Sequence, residues 1–195
     1  MTLDYVETRS LVLAAHTAAD AGDAYRVESN PRVMQFLGGQ CRHPKDQYLR
    51  RFATECVGLF PDYIAIRRKG DLAYIGSCAL NSWYLSERGS CARVAAIEPR
   101  IVIDEPYWRD RYGVEVLRAL LSYAFGPMGG ELVAGVTDPR HPRMGRLCRL
   151  YGFRQDDRYD LAGRTWCESP ELWVLTVGQF TATRRKLLEK AEEVA

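Results

Sequence analysis

Among the residues of this 195-residue chain, the stretch IVIDEPYWRDRYGVEVLRALLSYAF (residues 101–125) has types and spacing closest to those of a binding site. It opens as a strand and passes through a short polar loop carrying Arg109 and Arg111. Val116, Leu117, Leu120, Leu121, Ala124 and Phe125 then recur on one helical face. A strand that turns tightly into a helix leaves the first helical N–H groups without partners at the positive end of the dipole, an arrangement suited to an anion such as a pyrophosphate. The two arginines add cationic reach. Spacing alone is a weak signal here, because many strand-loop-helix units bind nothing.

Other chemistry finds little support in the spacing. Cys41, Cys56, Cys78, Cys91, Cys148 and Cys167 are scattered without a CxxC pair, and His16, His43 and His141 are the only imidazoles, so no metal site is expected. His16 and His43 fit no motif and read as loop or capping residues. Lys and Arg number 27 against 25 Asp and Glu, and the net charge of +2 lacks the basic footprint of a nucleic-acid binder. The clusters Arg67-Arg68-Lys69 and Arg184-Arg185-Lys186 are short and read as solvated faces. With no leader-like start and no apolar run near ~18 residues, neither secretion nor membrane spanning is expected, and reduced cysteines in a cytoplasmic protein follow.

The elements that must position the loop are legible from pattern. At 47% hydrophobic, a chain of this length can bury one core, and a single domain over 1–195 is expected. Residues 7–14 end in an apolar run that predicts a strand. Thr17, with Asp20 three residues on, then predicts a helix start. Asn30-Pro31 breaks that helix and opens a short one ending at Gly38-Gly39, and residues 44–58 have helical spacing. Segments 62–69, 72–84 and 92–104 predict consecutive antiparallel strands, with Pro99 requiring an edge or a bulge in the third. After the helix that begins at Tyr112, a buried strand at 131–137, a short helix at 142–150, strands near 153–160 and 171–177 and a charged terminal helix complete the chain.

In this order the chain resembles the GNAT acetyltransferases over about residues 7–177, particularly the branch that modifies ribosomal-protein N-termini. ETRSLVLAAHTAADAGDAYRVESNPRVMQFLGG is similar to that branch's opening strand "ETxRLxLR" and its "NPxVMxFLG". PYWRDRYGVEVLRALLSYAF resembles the acetyl-CoA loop and helix, "PxYWGRGYATEALxxLLxYAF", and DPRHPRMGRLCRLYGF resembles "DPxNxxSxxLLEKLGF". Residues 178–195 lie outside the match.

The resemblance implies an α/β GNAT fold, with a central mixed, mostly antiparallel sheet of about seven strands whose fourth splays from the fifth. Ile101, Val102 and Ile103 would line that splayed edge and hold the pantetheine arm of acetyl-CoA or another acyl-CoA. The N–H groups around Arg111, Tyr112, Gly113 and Val114 would cradle the pyrophosphate, with Arg109 nearby. Arg111 stands where the family has glycine; it either reaches a phosphate as a charged fork or fills the phosphate's space. His141 stands in place of an asparagine, whose contact an imidazole can replace, and Met144 in place of a serine, which a thioether scarcely replaces. Glu98, at the branch's strand glutamate, is the candidate general base, with a solvated strand glutamate as the alternative. A backbone N–H near Val102 or Ile103 would stabilise the oxyanion. Cys148 takes the position of the family's proton-donating tyrosine, though packing beside Leu147 and Leu150 is the simpler role. Trp83, Tyr84, Phe36 and Trp166 could wall an acceptor pocket, with core packing the default for most of them.

The implied activity is transfer of acetyl to a primary amine, on a protein N-terminus or a small molecule, by a monomer or homodimer. The competing reading is a GNAT-fold protein with a degenerate loop that uses another acyl donor or acceptor, or binds without catalysis.

Overall fold

The computed structural model describes residues 5–39, 41–59, 63–161 and 167–192, with their side chains except at 58, 59 and 186–192. Of the expectations above, Trp166 falls outside these residues. The described chain forms nine strands and six helices, and packs as two compact units. One takes the chain up to Asn81 together with Pro99–Tyr123. The other takes Ser82–Glu98 and the chain from Ala124 onward.

In the first unit a hairpin of β1 (Tyr5–Glu7) and β2 (Leu11–Ala15) pairs antiparallel with β3 (Tyr63–Arg68), and β3 pairs with β4 (Tyr74–Glu87). The alternation of Leu11 and Leu13, both fully buried, with half-buried Val12 and Ala14 turns one face of β2 to the core. Helices α1 (Ala21–Glu28), α2 (Pro31–Met34) and α3 (Lys45–Thr54) carry Ala24, Val27, Val33, Met34 and Phe52 into a cluster with Ala65, Tyr74 and Val102. The predicted helix start at Thr17 opens a 3-10 turn over Ala18–Asp20 that runs into α1: Thr17 N–H donates to Asp20 Oδ2 at 2.6 Å, and Asp20 N–H returns a bond to the Thr17 carbonyl. Asn30 caps α2 by accepting from Arg32 N–H at 2.9 Å. The helix predicted over 44–58 ends at Thr54 and gives way to a π-type turn over Glu55–Leu59.

β5 (Arg93–Ile103) leads into α4 (Tyr112–Phe125), whose Val116, Leu117, Leu120, Leu121 and Ala124 are all almost fully buried. Gly76 in β4 is indispensable to this frame. Its φ is +152°, and a Cβ there would lie 2.0 Å from the Val102 carbonyl oxygen.

In the second unit β5 pairs in parallel with β6 (Leu132–Thr137), and β6 pairs antiparallel along its length with β9 (Glu171–Thr176). The β5–β6 pairing is confined to Ile97 and Val133, two residues before Pro99. β7 (Arg154–Gln155) pairs with β9, and β8 (Tyr159–Asp160) with the end of β4. Leu85, Ala96, Ala134, Tyr159, Leu172 and Val174 form the core there. α5 (Pro142–Leu150) and α6 (Val177–Glu192) complete the unit. Nine strands against the expected seven reflect the opening hairpin and the brief ladders β7 and β8. Among the described residues no helix is long and apolar enough to cross a membrane.

Candidate active site

The strand-to-helix corner of residues 101–114 is fixed from several sides. Asp104 is 3% exposed, its N–H donates to the Ile75 carbonyl at 2.9 Å, and its carboxylate caps the turn at Glu105 N–H and pairs with Arg26 of α1. Trp108 Nε1 donates to the Ile103 carbonyl at 2.8 Å, closing the turn back on its own strand. Glu105 accepts from Asn30 Nδ2 at 3.1 Å and pairs with Arg32. In the first turn of α4, Glu115 accepts from Ser10 N–H at 2.6 Å and from the Thr8 hydroxyl, tying the helix start to the β1–β2 turn.

Arg111 is the hinge of this corner. Its φ is +60°, in the left-handed region that glycine enters freely and a residue with a Cβ enters at a cost of about 1–2 kcal/mol. Its carbonyl accepts from Val114 N–H at 3.0 Å and Glu115 N–H at 3.3 Å. The first two helical residues, Tyr112 and Gly113, have no carbonyl a turn behind them, so their N–H groups are the donors such a corner offers an anion. Val114 N–H, counted with them in the sequence reading, is engaged by Arg111. The side chains of Arg109 and Arg111 are both exposed. The backbone thus keeps the path that a glycine would take, with an arginine in its place.

Ile101, Val102 and Ile103 lead directly into this corner within the first unit, whereas Glu98, His141 and Cys148 belong to the second. Glu98 is half-buried in β5. His141 caps α5: its Nδ1 accepts from Met144 N–H at 3.1 Å, with Pro142 at the first helical position. The imidazole therefore performs the capping an asparagine would, and burial holds its pKa below the usual value. Cys148 is 3% exposed, and burial pushes its thiol up to about 12. Leu150, expected to share its core neighbourhood, is 50% exposed.

A cavity of about 430 Å³ lies in the first unit, between α1, α3 and the sheet formed by β3, β4 and β5. Tyr48, Phe52 and Tyr63 form aromatic walls, and Glu28, Arg51 and Arg100 bring charge to it. Tyr63 donates its hydroxyl to Glu28 Oε1 at 2.8 Å while accepting from the buried Ser77 hydroxyl at 2.9 Å. Burial, followed by the Glu28 charge, raises the Tyr48 and Tyr63 phenols well above their usual range, so both stay protonated as donors. Arg51 is matched by Glu55, Nε to Oε1 at 2.9 Å, and contacts His43 Nε2 at 2.8 Å. Arg100 lies over the Tyr63 ring at 5.6 Å.

The aromatic residues that line this cavity are not those offered in the sequence as acceptor walls. Trp83, Tyr84 and Phe36 do not line the cavity; Trp83 packs on the core of the second unit and Tyr84 is 64% exposed. His16, read as a loop or capping residue, is 4% exposed and wedged among Phe52, Tyr63 and Tyr74 at ring-centroid distances of 5.0, 5.5 and 5.9 Å. Among the described residues neither of its nitrogens has a hydrogen-bond partner, and Asp20 Oδ2 lies 3.9 Å from Nδ1. Two signals could have found the charged lining. Glu28 falls at i+7 from Ala21 and i+4 from Ala24, on the apolar stripe of α1, and Arg100 alternates in phase with buried Val102 on β5.

A family model described as Acetyltransferase (GNAT) domain matches residues 10–154. None of the curated proteins searched matches the chain. Among solved structures, a GNAT-family acetyltransferase from Bacillus anthracis superposes with a TM-score of 0.69 at 15% identity, covering 88% of this chain and 98% of that one. A GCN5-related N-acetyltransferase from Brucella melitensis gives 0.69 at 15% identity, covering 93% and 82%. A spermidine N-acetyltransferase from Vibrio cholerae, in complex with CoA and spermine, gives 0.67 at 13% identity, covering 88% and 98%. Identities this low speak for the fold, a mixed α/β architecture with a mostly antiparallel sheet flanked by helices. The family match runs from β2 through the 101–125 corner and α5, and on it the chain belongs to the GNAT family of acetyltransferases.

Proposed function

We propose that the protein transfers acetyl from acetyl-CoA to a primary amine by direct attack in a ternary complex. The observation that carries this reading is the backbone of Arg111: at φ +60° it follows the course a glycine loop would, leaving the Tyr112 and Gly113 N–H groups at the start of α4 for the pyrophosphate. The exposed Arg109 and Arg111 side chains supply positive charge beside it. The Ile101–Ile103 backbone would hold the pantetheine arm, and His141 is assigned to the same cofactor in this reading. An N–H at Val102 or Ile103 would stabilise the oxyanion.

An amine acceptor is charged at neutral pH, since an α-amino group has a pKa of about 8 and lysine about 10.4, so a base must receive its proton. Glu98 is that base in this reading. Cys148 is assigned to packing: moving a proton from a buried thiol at about 12 to an ordinary thiolate is uphill, so the departing CoA thiolate is protonated by solvent.

Calorimetric titration with acetyl-CoA, free CoA and dephospho-CoA tests the reading. Micromolar binding of acetyl-CoA is expected; no binding at millimolar ligand would overturn it. Glu98→Gln should lower turnover by about 100-fold at unchanged acetyl-CoA affinity, and unchanged turnover would remove Glu98 from the mechanism.

A further inference from the structure

We infer that the cavity beneath α1 and α3 binds a small zwitterion, an amino-acid-like acceptor whose carboxylate is held by Arg100 and whose nitrogen lies against Glu28. The inference rests on the acetyl-transfer reading and names the acceptor class for it.

Arg100 is half-buried in the cavity wall, yet it forms no ion pair with any described carboxylate, Glu28 included; its described partner is the face of Tyr63. Arg51, in the same lining, is already matched by Glu55. Removing a guanidinium from water without a counter-charge is costly, and a fork of donors over an aromatic ring is well shaped to receive a carboxylate. An anionic group on the ligand supplies the missing charge.

Glu28 has the opposite need. It is the last residue of α1, where the negative end of the helix dipole disfavours a carboxylate. The Tyr63 hydroxyl orients it, and the Tyr48 hydroxyl also reaches it. A carboxylate accepts about four hydrogen bonds, so acceptor sites remain for an ammonium or amine. Among the described residues, one charge of each sign without an oppositely charged partner, in a single cavity with aromatic walls, describes an amine and a carboxylate joined by an apolar body. The volume of about 430 Å³ falls within the range of roughly 300–1,000 Å³ usual for small-molecule sites. A polycation such as spermine would satisfy Glu28 but be repelled by Arg100.

The test is calorimetry on the full chain saturated with CoA, which fills the cofactor site without turnover. The probes are matched pairs: L-phenylalanine with phenethylamine, L-leucine with isoamylamine and L-lysine with cadaverine, plus spermine. At least one amino acid should bind 10-fold or more tightly than its decarboxylated partner and than spermine. Arg100→Gln should abolish that preference at unchanged CoA affinity, and Glu28→Gln should weaken the amino acid and its amine alike. The inference is overturned if no probe binds to the CoA-loaded protein, if the amines or spermine bind as tightly as the amino acids, or if Arg100→Gln keeps the preference. If CoA itself does not bind, the acetyl-transfer reading fails separately, and the same titrations without CoA decide the cavity assignment by the same criteria.

Discussion

The corner at Arg111 and the cavity at Glu28 both belong to the first compact unit, but they are built in opposite ways. The corner is one contiguous stretch that would bind through backbone N–H groups at a helix start. The cavity draws on α1, α3, β3, β4 and β5 and would bind through side chains. A backbone site tolerates replacement of its side chains so long as the main chain can take the required path, which is how an arginine can stand at φ +60° where a glycine would be easier. A side-chain site has no such latitude, and single substitutions should redirect its specificity.

The largest effect should come from the frame the two regions share. Gly76→Ala would drive a Cβ to 2.0 Å from the Val102 carbonyl oxygen at a φ that L-residues rarely adopt. A loss of about 4 kcal/mol or more is expected, enough to prevent folding, with corner and cavity lost together. Chemical denaturation measures it. A stable variant that keeps acetyl-CoA binding but loses the acceptor would show that the two regions do not depend on one β4–β5 frame.

The next effect tests the cavity's support. Burial, opposed by Asp20 and reinforced by Arg67, lowers the pKa of His16 to about 4. The folded value lies below the unfolded one, so the unfolded chain takes up the proton first. Stability is complete above about pH 6.5 and falls as the pH drops toward about 4, by roughly 3 kcal/mol. Asp20, Arg67, Tyr63 and Tyr74 surround the ring, and Asp20 is already held by Arg67 at 2.5 Å, which leaves the imidazole little compensation. His16→Phe should flatten the decline in melting temperature between pH 6.5 and 4.5 and raise stability at pH 7, because two buried nitrogens without a hydrogen-bond partner among the described residues leave the core. An unchanged acid slope would show that the ring is hydrated in solution.

The same contrast explains what the sequence made legible. Strand order, the helix starts at Thr17 and Asn30 and the 101–125 corner all rest on local patterns: period-two alternation, cap residues, a strand running into an amphipathic helix. The cavity depends on residues brought together only by tertiary packing, and its aromatic walls could not be told from core by type. Trp83 and Tyr84 have the composition of a pocket wall but sit elsewhere, while Tyr63, in a strand with no motif, carries the Glu28 contact. His16 was misread because polar type suggests exposure, whereas three aromatic neighbours enclose it.

Tyr63→Phe sharpens the side-chain half of the comparison. It removes the donor to Glu28 and leaves the Ser77 hydroxyl, 1% exposed, without its acceptor, at a cost of about 1–2 kcal/mol. Acceptor affinity should fall several-fold at unchanged acetyl-CoA affinity, measured by calorimetry of each ligand. Equal losses for both ligands would mean that the cavity and the cofactor corner are coupled.

The smallest effect falls on the backbone half. Arg111→Gly relieves the left-handed strain but gives the unfolded chain more freedom, and the first term should prevail by about 1 kcal/mol. In a chain of this length that raises the melting temperature by about 2–4 °C. Acetyl-CoA affinity should be the same or better, because the donors assigned to the pyrophosphate are the N–H groups of Tyr112 and Gly113 and the glycine keeps their path. A large loss of affinity with the melting temperature raised would separate the two roles of the residue: its backbone only tolerated at φ +60°, its guanidinium a true phosphate ligand. The corner would then read its ligand partly by side chain, and the contrast with the cavity would narrow to one of degree.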